Sequence, residues 1–188
     1  MNAVIIHGTL GTPRGNWFPW LTGELTARGV TVVCPAFPTP ENQSLEQWFS
    51  TFETSVGLAQ LTEDSLLIGH SCGATFALRL VERLSSRIRG LFLVAGVIEP
   101  LGIPEYDSLN ASFIARPFEW DKIRSNCRHI QVYHSPNDPY VPLDQGQRIA
   151  EALGAPLREI AGGGHLNAEF GYTSFRQLSI DVGALIGD

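Results

Sequence analysis

The stretch Leu66–Leu80, LLIGHSCGATFALRL, runs from an unbroken apolar segment through Gly-His-Ser-Cys-Gly into residues spaced as a helix. Apolar runs without alternation suit strands covered on both faces, as in a parallel sheet. Ala74, Ala77, Leu78, Val81 and Leu84 then repeat at helical spacing. A serine hydroxyl therefore stands at the bend between a buried strand and a helix. Five further strand-like runs are Ala3–Ile6, Val30–Val33, Leu91–Val94, Ile130–Tyr133 and Leu157–Ile160.

Helical stripes fill the intervals. Trp17, Trp20, Leu21, Leu25 and Arg28 share one face, with Asn16 placed as an N-cap. Leu45, Trp48, Phe49, Phe52 and Val56 form another, and Ser44 and Gln47 have capping-box spacing. Ile149, Ala150 and Leu153 end at Gly154, and Phe175, Leu178, Val182 and Leu185 make the last stripe. Strand–helix alternation predicts an α/β fold with a doubly wound sheet and helices on both faces. The chain has 188 residues, enough for a single domain over 1–188. Glu99–Glu119, with three prolines, is the least patterned region and reads as a long loop.

A net charge of -6 disfavours nucleic acid and anionic membranes as main partners. No apolar run reaches the roughly 18 residues of a membrane span. The opening MNAVIIHG does not read as a signal peptide, and Cys34, Cys72 and Cys127 are scattered and odd in number. Both point to a reducing compartment, and the expected localisation is cytoplasmic.

Gly69, Ser71 and Gly73 form Gly-x-Ser-x-Gly at the strand-to-helix junction, the pattern of a nucleophile elbow in α/β-hydrolases. Glycines on either side let strand and helix approach closely, and the helix N-terminus offers unpaired N–H groups and positive dipole to a developing oxyanion. A serine nucleophile needs a base and an orienting acid. Of five histidines, His165 follows the last strand in Ala-Gly-Gly-Gly-His, where glycines can deliver an imidazole to the sheet edge. His7 and His70 read as structural, and His129 and His134 as surface or satisfied loop residues. Asp138, in SPNDPYVP after Ile130–Tyr133, falls at a strand's carboxyl end. The order Ser71, Asp138, His165 is that of the α/β-hydrolase triad. Asp107, Asp121, Asp144 and Glu169 are the rival acids; Asp144 reads as a helix N-cap. For the oxyanion hole, the backbone N–H groups of Cys72 and Thr9 are the candidates, with Leu10 second to Thr9.

These pieces, IIHG, NWFPWL, GHSCGA, SPNDPYVP and GGGHLN, resemble the small serine hydrolase family of retinoblastoma-binding protein 9 and the YdeN-type proteins, over almost the whole chain. The resemblance implies a minimal α/β-hydrolase fold of about six mostly parallel strands, without the antiparallel edge strands or a large cap domain. It also implies carboxylesterase-like activity on a small acyl substrate, no cofactor, and Ser71, Asp138 and His165 as the triad. A Leu-x-Cys-x-Glu motif for pocket-protein binding is missing around the three cysteines, so that partner is not expected. For the substrate pocket, Leu10, Trp17 and Phe113 are the candidates, with Phe118 and Trp120 beside them.

Other chemistries fit less well. Gly8, Gly11 and Gly15 miss the dinucleotide-binding spacing, no phosphate-loop motif occurs, and no Cys/His cluster has metal-ligand spacing. A non-catalytic interaction module keeping the same fold is the alternative from another class.

Overall fold

The computed structural model describes residues 1–187. Among them, six parallel strands form one sheet: β1 (Asn2–Ile6), β2 (Thr31–Val33), β3 (Ser65–His70), β4 (Ile88–Val94), β5 (Cys127–His134) and β6 (Leu157–Glu159). Their order is β2-β1-β3-β4-β5-β6. All six predicted strands are present, and every pairing is parallel rather than mostly so. The chain steps outward from β1 to β2, then returns past β1 to β3 and continues the other way. The switch in direction lies between β1 and β3, where the carboxyl ends of neighbouring strands feed loops that diverge and leave a crevice.

The pleat sorts the apolar runs onto two faces. Val4, Ile6, Leu67, Leu91, Leu93 and Val132 face α2 (Leu45–Ser55), α3 (Cys72–Val81), α5 (Trp120–Ser125) and α6 (Leu143–Leu153). Ala3, Ile5, Leu66, Ile68, Phe92, Val94 and Tyr133 face α1 (Phe18–Thr26) and α7 (Arg176–Ile186). Each strand is thus apolar on both sides because each side is covered, which is why the runs lack alternation. No helix among the described residues is long and apolar enough to cross a membrane.

Three local expectations change. Glu99–Glu119 is not a loop: it holds α4 (Pro104–Ile114), which starts with a proline at its first turn, where the missing N–H costs nothing. Only Asn110 and Phe113 are buried on this helix, so it carries no apolar stripe to read. The buried Arg79 clamps its far end, donating to the carbonyls of Phe113, Arg116 and Pro117 while paired with the buried Glu82. Asn16 does not cap α1; that position is Trp17, and the Asn16 side chain serves another loop. Asp144 lies within the first turn of α6, behind Pro142. Ser44 does cap α2, accepting from Gln47 N–H at 3.2 Å, and Gly154 closes α6 in the left-handed region.

The tightest constraint is where α3 leaves the sheet. A Cβ on Gly73 would lie 2.3 Å from the Ile6 carbonyl oxygen, and one on Gly69 would lie 2.5 Å from Ala74 Cα. Gly73→Ala must therefore push backbone apart and should cost about 3 kcal/mol, a fall of roughly 6–12 °C in Tm for a chain of this size. Gly23→Ala in α1, where a Cβ meets nothing within 4 Å, should instead stabilise by roughly 0.5–1 kcal/mol. Scanning calorimetry of the two variants checks both signs.

Candidate active site

Ser71 joins β3 to α3 with φ 56° and ψ -128°, a conformation that an L-residue holds only when its surroundings over-determine it. Its N–H donates to Val94 C=O at 2.8 Å, and its carbonyl accepts from Ala74 N–H at 2.9 Å. Gly8 packs against it: a Cβ there would sit 2.7 Å from Ser71 Cβ. The bend thus fixes Ser71 at the carboxyl edge of the sheet, beside the loop that follows β1. Among the described residues its hydroxyl has no hydrogen-bond partner. It borders a cavity of about 210 Å³ shared with His165.

His165 Nδ1–H donates to Asp138 Oδ2 at 2.8 Å, and the Asp138 side chain is fully buried. The other carboxylate oxygen, Oδ1, accepts from the N–H groups of Tyr140 and Val141 at 2.9 and 3.0 Å. Burial pushes this carboxyl up, but the His165 hydrogen bond and charge and the two backbone N–H bonds outweigh it, leaving the pKa below its usual value. Asp138 is therefore an ionised, doubly anchored acceptor for one imidazole. Glu169 is exposed at the cavity rim and accepts from Tyr140 OH at 2.8 Å. Asp107 accepts from the N–H groups of Leu101 and Gly102, and Asp121 pairs with Arg124. None of these rivals bonds a histidine.

The His165 loop is tied from several sides. Trp17 Nε1–H donates to Leu166 C=O at 3.0 Å, and His70 Nε2–H donates to His165 C=O at 2.9 Å. Asn16 Oδ1 accepts from Ala168 N–H at 3.0 Å. Ser135 Oγ and Asn137 Oδ1, both in the Asp138 loop, accept from Gly163 and Gly164 N–H. Gly164 has φ 54°, and a Cβ there would lie 2.1 Å from the Phe170 ring. The acid and histidine loops are thus bonded into one unit.

Three further histidines are buried around the site. His7 Nε2 accepts from Phe37 N–H at 3.0 Å, so its proton sits on Nδ1, 2.9 Å from Gly8 C=O. Burial lowers its pKa. His70 is lowered to about 3, first by burial and then by His165. His134 is not a surface or loop residue: it is fully buried, lies 3.7 Å from Asp138 Oδ2, and donates from Nε2 to Val141 C=O at 2.9 Å. Burial lowers it too.

The N–H groups of Cys72 and Thr9 carry no hydrogen bond among the described residues. Leu10 N–H is already given to Thr39 Oγ1 at 2.7 Å, which removes it as a free donor. The Leu10 side chain, 47% exposed, does line the cavity. Trp17 and Phe113 do not. Both are 0% exposed, Trp17 packed in the core under α1 and Phe113 in the core beneath α4. Large aromatics on these helices gain more by burial against the sheet than by lining a polar cavity. Phe118 and Trp120 pack on the edge of the same core, with the Arg79 guanidinium over Phe118. The cavity wall comes instead from Tyr106, Asn110, Tyr140 and Asn167. Of these, Tyr140 has a sequence signal, being two residues beyond Asp138 in the acid loop; Asn110 and Tyr106 have none, since α4 carries no apolar stripe. Burial pushes the Cys72 thiol up to about 12, so it is an inert neighbour of Ser71.

A model of the serine hydrolase family matches residues 3–182. The chain belongs to the serine hydrolase family. It is 34% identical over 172 residues to YdeN of Bacillus subtilis, covering 90% of this chain and 88% of that protein. It is 30% identical to the serine hydrolase RBBP9 of Rattus norvegicus, covering 89% of each. The crystal structure of the B. subtilis ydeN gene product superposes with a TM-score of 0.91 at 29% identity, over 100% of this chain and 99% of that one. Est1E from Butyrivibrio proteoclasticus, in a structure with ferulic acid bound, shares the fold with a TM-score of 0.72 at 16% identity, covering 98% of this chain and 86% of its own. The expected α/β-hydrolase architecture is thus present, with no large cap over the site.

The buried histidines set the acid limit of the fold. The unfolded chain protonates them near 6.5, while the native protein holds His70 neutral to about 3. Unfolding therefore takes up protons between about 6.5 and 3, and native stability falls as pH drops through that window; the lowered Asp138 acts in the same direction at the acid end. Tm measured from pH 8 to 4 should decline below pH 6.5. His70→Gln, which keeps a donor for His165 C=O but no titrating group, should flatten the decline; an unchanged slope would contradict this origin.

Proposed function

We propose that the protein is a carboxylesterase-type hydrolase of small esters, with thioesters and amides as chemically related substrates, acting through an acyl-enzyme on Ser71. The observation that carries this reading is the 2.8 Å bond from His165 Nδ1 to a buried, ionised Asp138, on the same cavity as a strained Ser71. With its proton held on Nδ1 by Asp138, the imidazole keeps Nε2 as a base for the Ser71 hydroxyl. Ser71 Oγ attacks the substrate carbonyl while His165 takes the proton. The oxyanion accepts hydrogen bonds from Cys72 and Thr9 N–H, and the first-turn position of Cys72 adds the helix dipole. His165 then gives its proton to the leaving oxygen, and the carbon–oxygen bond to it breaks. Water, losing its proton to His165, releases the acid and restores Ser71.

Asp138 stabilises the imidazolium without taking its proton. The free thiols of Cys34, Cys72 and Cys127 fit a reducing compartment such as the cytoplasm.

Ser71→Ala should abolish labelling by a fluorophosphonate probe and lower ester turnover by roughly 10⁴-fold or more, with unchanged Tm. Asp138→Asn, which leaves His165 without its anionic partner, should lose roughly 10⁴-fold in kcat. Persistent labelling of the Ser71→Ala protein would remove Ser71 from the role. A wild-type protein inert to both probe and esters would favour the non-catalytic interaction module instead.

A further inference from the structure

Beside Thr9, the cavity wall is organised by a chain of hydrogen bonds. Leu10 N–H can only donate, and it donates to Thr39 Oγ1 at 2.7 Å. The Thr39 hydroxyl gives its own proton to Gln43 Oε1 at 2.6 Å. Leu109 C=O can only accept, and it accepts from Gln43 Nε2 at 3.1 Å. These two ends settle which way the Gln43 amide faces. Gln43 Nε2 also donates to Thr9 Oγ1 at 2.8 Å, and the Thr9 hydroxyl donates onward to Asn110 Oδ1 at 2.8 Å. Gln43 Nε2 stands 3.3 Å from that same oxygen.

Asn110 is left with one free group. Its Oδ1 is the acceptor for Thr9 and Gln43, so its Nδ2 must occupy the other branch, and Nδ2 has no partner among the described residues. The residue is 3% exposed, yet it borders the cavity that holds Ser71. The Nδ2 group is not sealed off from solvent, so a molecule that fills the cavity must offer it an oxygen or leave the donor unpaired, which is costly. The leaving group must lie against His165, which protonates it. Asn110 is bonded instead to Thr9, on the oxyanion side, so the part of a substrate it meets is the acyl half. The cavity is about 210 Å³, a volume that suits a short acyl group, and in its wall the asparagines 16, 110 and 167 stand among Leu10, Leu101 and Val141, so a substrate meets polar as well as apolar groups.

We infer that Asn110 is a substrate-binding residue whose Nδ2 selects short acyl groups carrying a hydrogen-bond acceptor, such as a ketone or ether oxygen, over alkyl chains of the same length. The inference rests on the acyl-enzyme reading of Ser71 and names the substrate class for that site.

The test compares p-nitrophenyl esters in matched pairs: methoxyacetyl with butanoyl, 3-methoxypropanoyl with pentanoyl, and 4-oxopentanoyl with 4-methylpentanoyl. Each kcat/KM is divided by the ester's own hydroxide rate constant to remove intrinsic reactivity. Wild type should favour the oxygen-bearing member of at least one pair by roughly tenfold, the scale of one hydrogen bond in a closed site. Asn110→Leu should erase that ratio. Asn110→Asp keeps an acceptor for Thr9 and Gln43 but puts a carboxylate oxygen in place of the donor, and should invert the ratio; it decides the matter if the leucine variant fails to fold. Because the readout is a ratio, a general loss of rate from a disturbed Thr9 cancels. Equal rates within every pair for wild type, or a preference that survives both substitutions, would overturn the inference while fluorophosphonate labelling of wild type left the Ser71 reading standing. A wild type that neither labels nor turns over any ester would overturn both.

Discussion

Strand β3 can hand over to helix α3 only because two residues at the junction have no side chain. The Gly73 Cα stands so close to the carbonyls of Ile6 and His7 that a methyl group would overlap both oxygens, and Gly69 stands equally close to Ala74. That proximity forces the turn between them to be abrupt, and the turn holds Ser71 at a positive φ with its hydroxyl outside the sheet. It also presses the first turn of α3 against the end of β1, so the N–H of Cys72 and the loop carrying Thr9 share one crevice. Backbone strain at Ser71 is sustained by its bonds to Val94 and Ala74, formed by the elements that the two glycines bring together.

The remaining loops are held by polar contacts made far apart in the chain. Trp17, expected in the cavity, is an anchor: buried under α1, it holds the carbonyl of Leu166 beside His165. His70, one residue before Ser71, holds the His165 carbonyl itself and stays neutral because it is buried. Ser135 and Asn137 bind the acid loop to the histidine loop. Gln43 does the same for the other side, bridging the loop after β1 to α4. Precision at the candidate site therefore comes from polar bonds between distant loops, which are expensive to build and rigid once built.

What could be read in advance followed from local and periodic signals. The six apolar runs are strands because burial on both faces leaves a mark at every position. Ser71, Asp138 and His165 could be placed because each stands just past a strand, where the chain must turn and where a parallel sheet gathers its loops. The failures have equally specific causes. Helix α4 turns only Asn110 and Phe113 inward, so no stripe announced it, and with it the cavity wall was missed. His134 ends a strand, which suggests a surface or satisfied loop residue, but Gly146 on α6 closes over its ring, and only the packing of α6 on β5 reveals that. Aromatic residues near a site suggest a lining, but Trp17 and Phe113 gain more from the two cores they complete.

By itself the sequence determined a two-faced parallel sheet and pointed to the serine, carboxylate and imidazole proposed for the site, since strand burial, glycine placement and chain order are local properties written residue by residue. Tertiary structure alone decided which backbone donor stays free, which histidines are buried, and which way the Asn110 amide faces. Those outcomes depend on hydrogen bonds between residues such as Leu10 and Thr39, or Thr9 and Asn110, that are 29 and 101 positions apart, and no local pattern records a partner that only folding brings near.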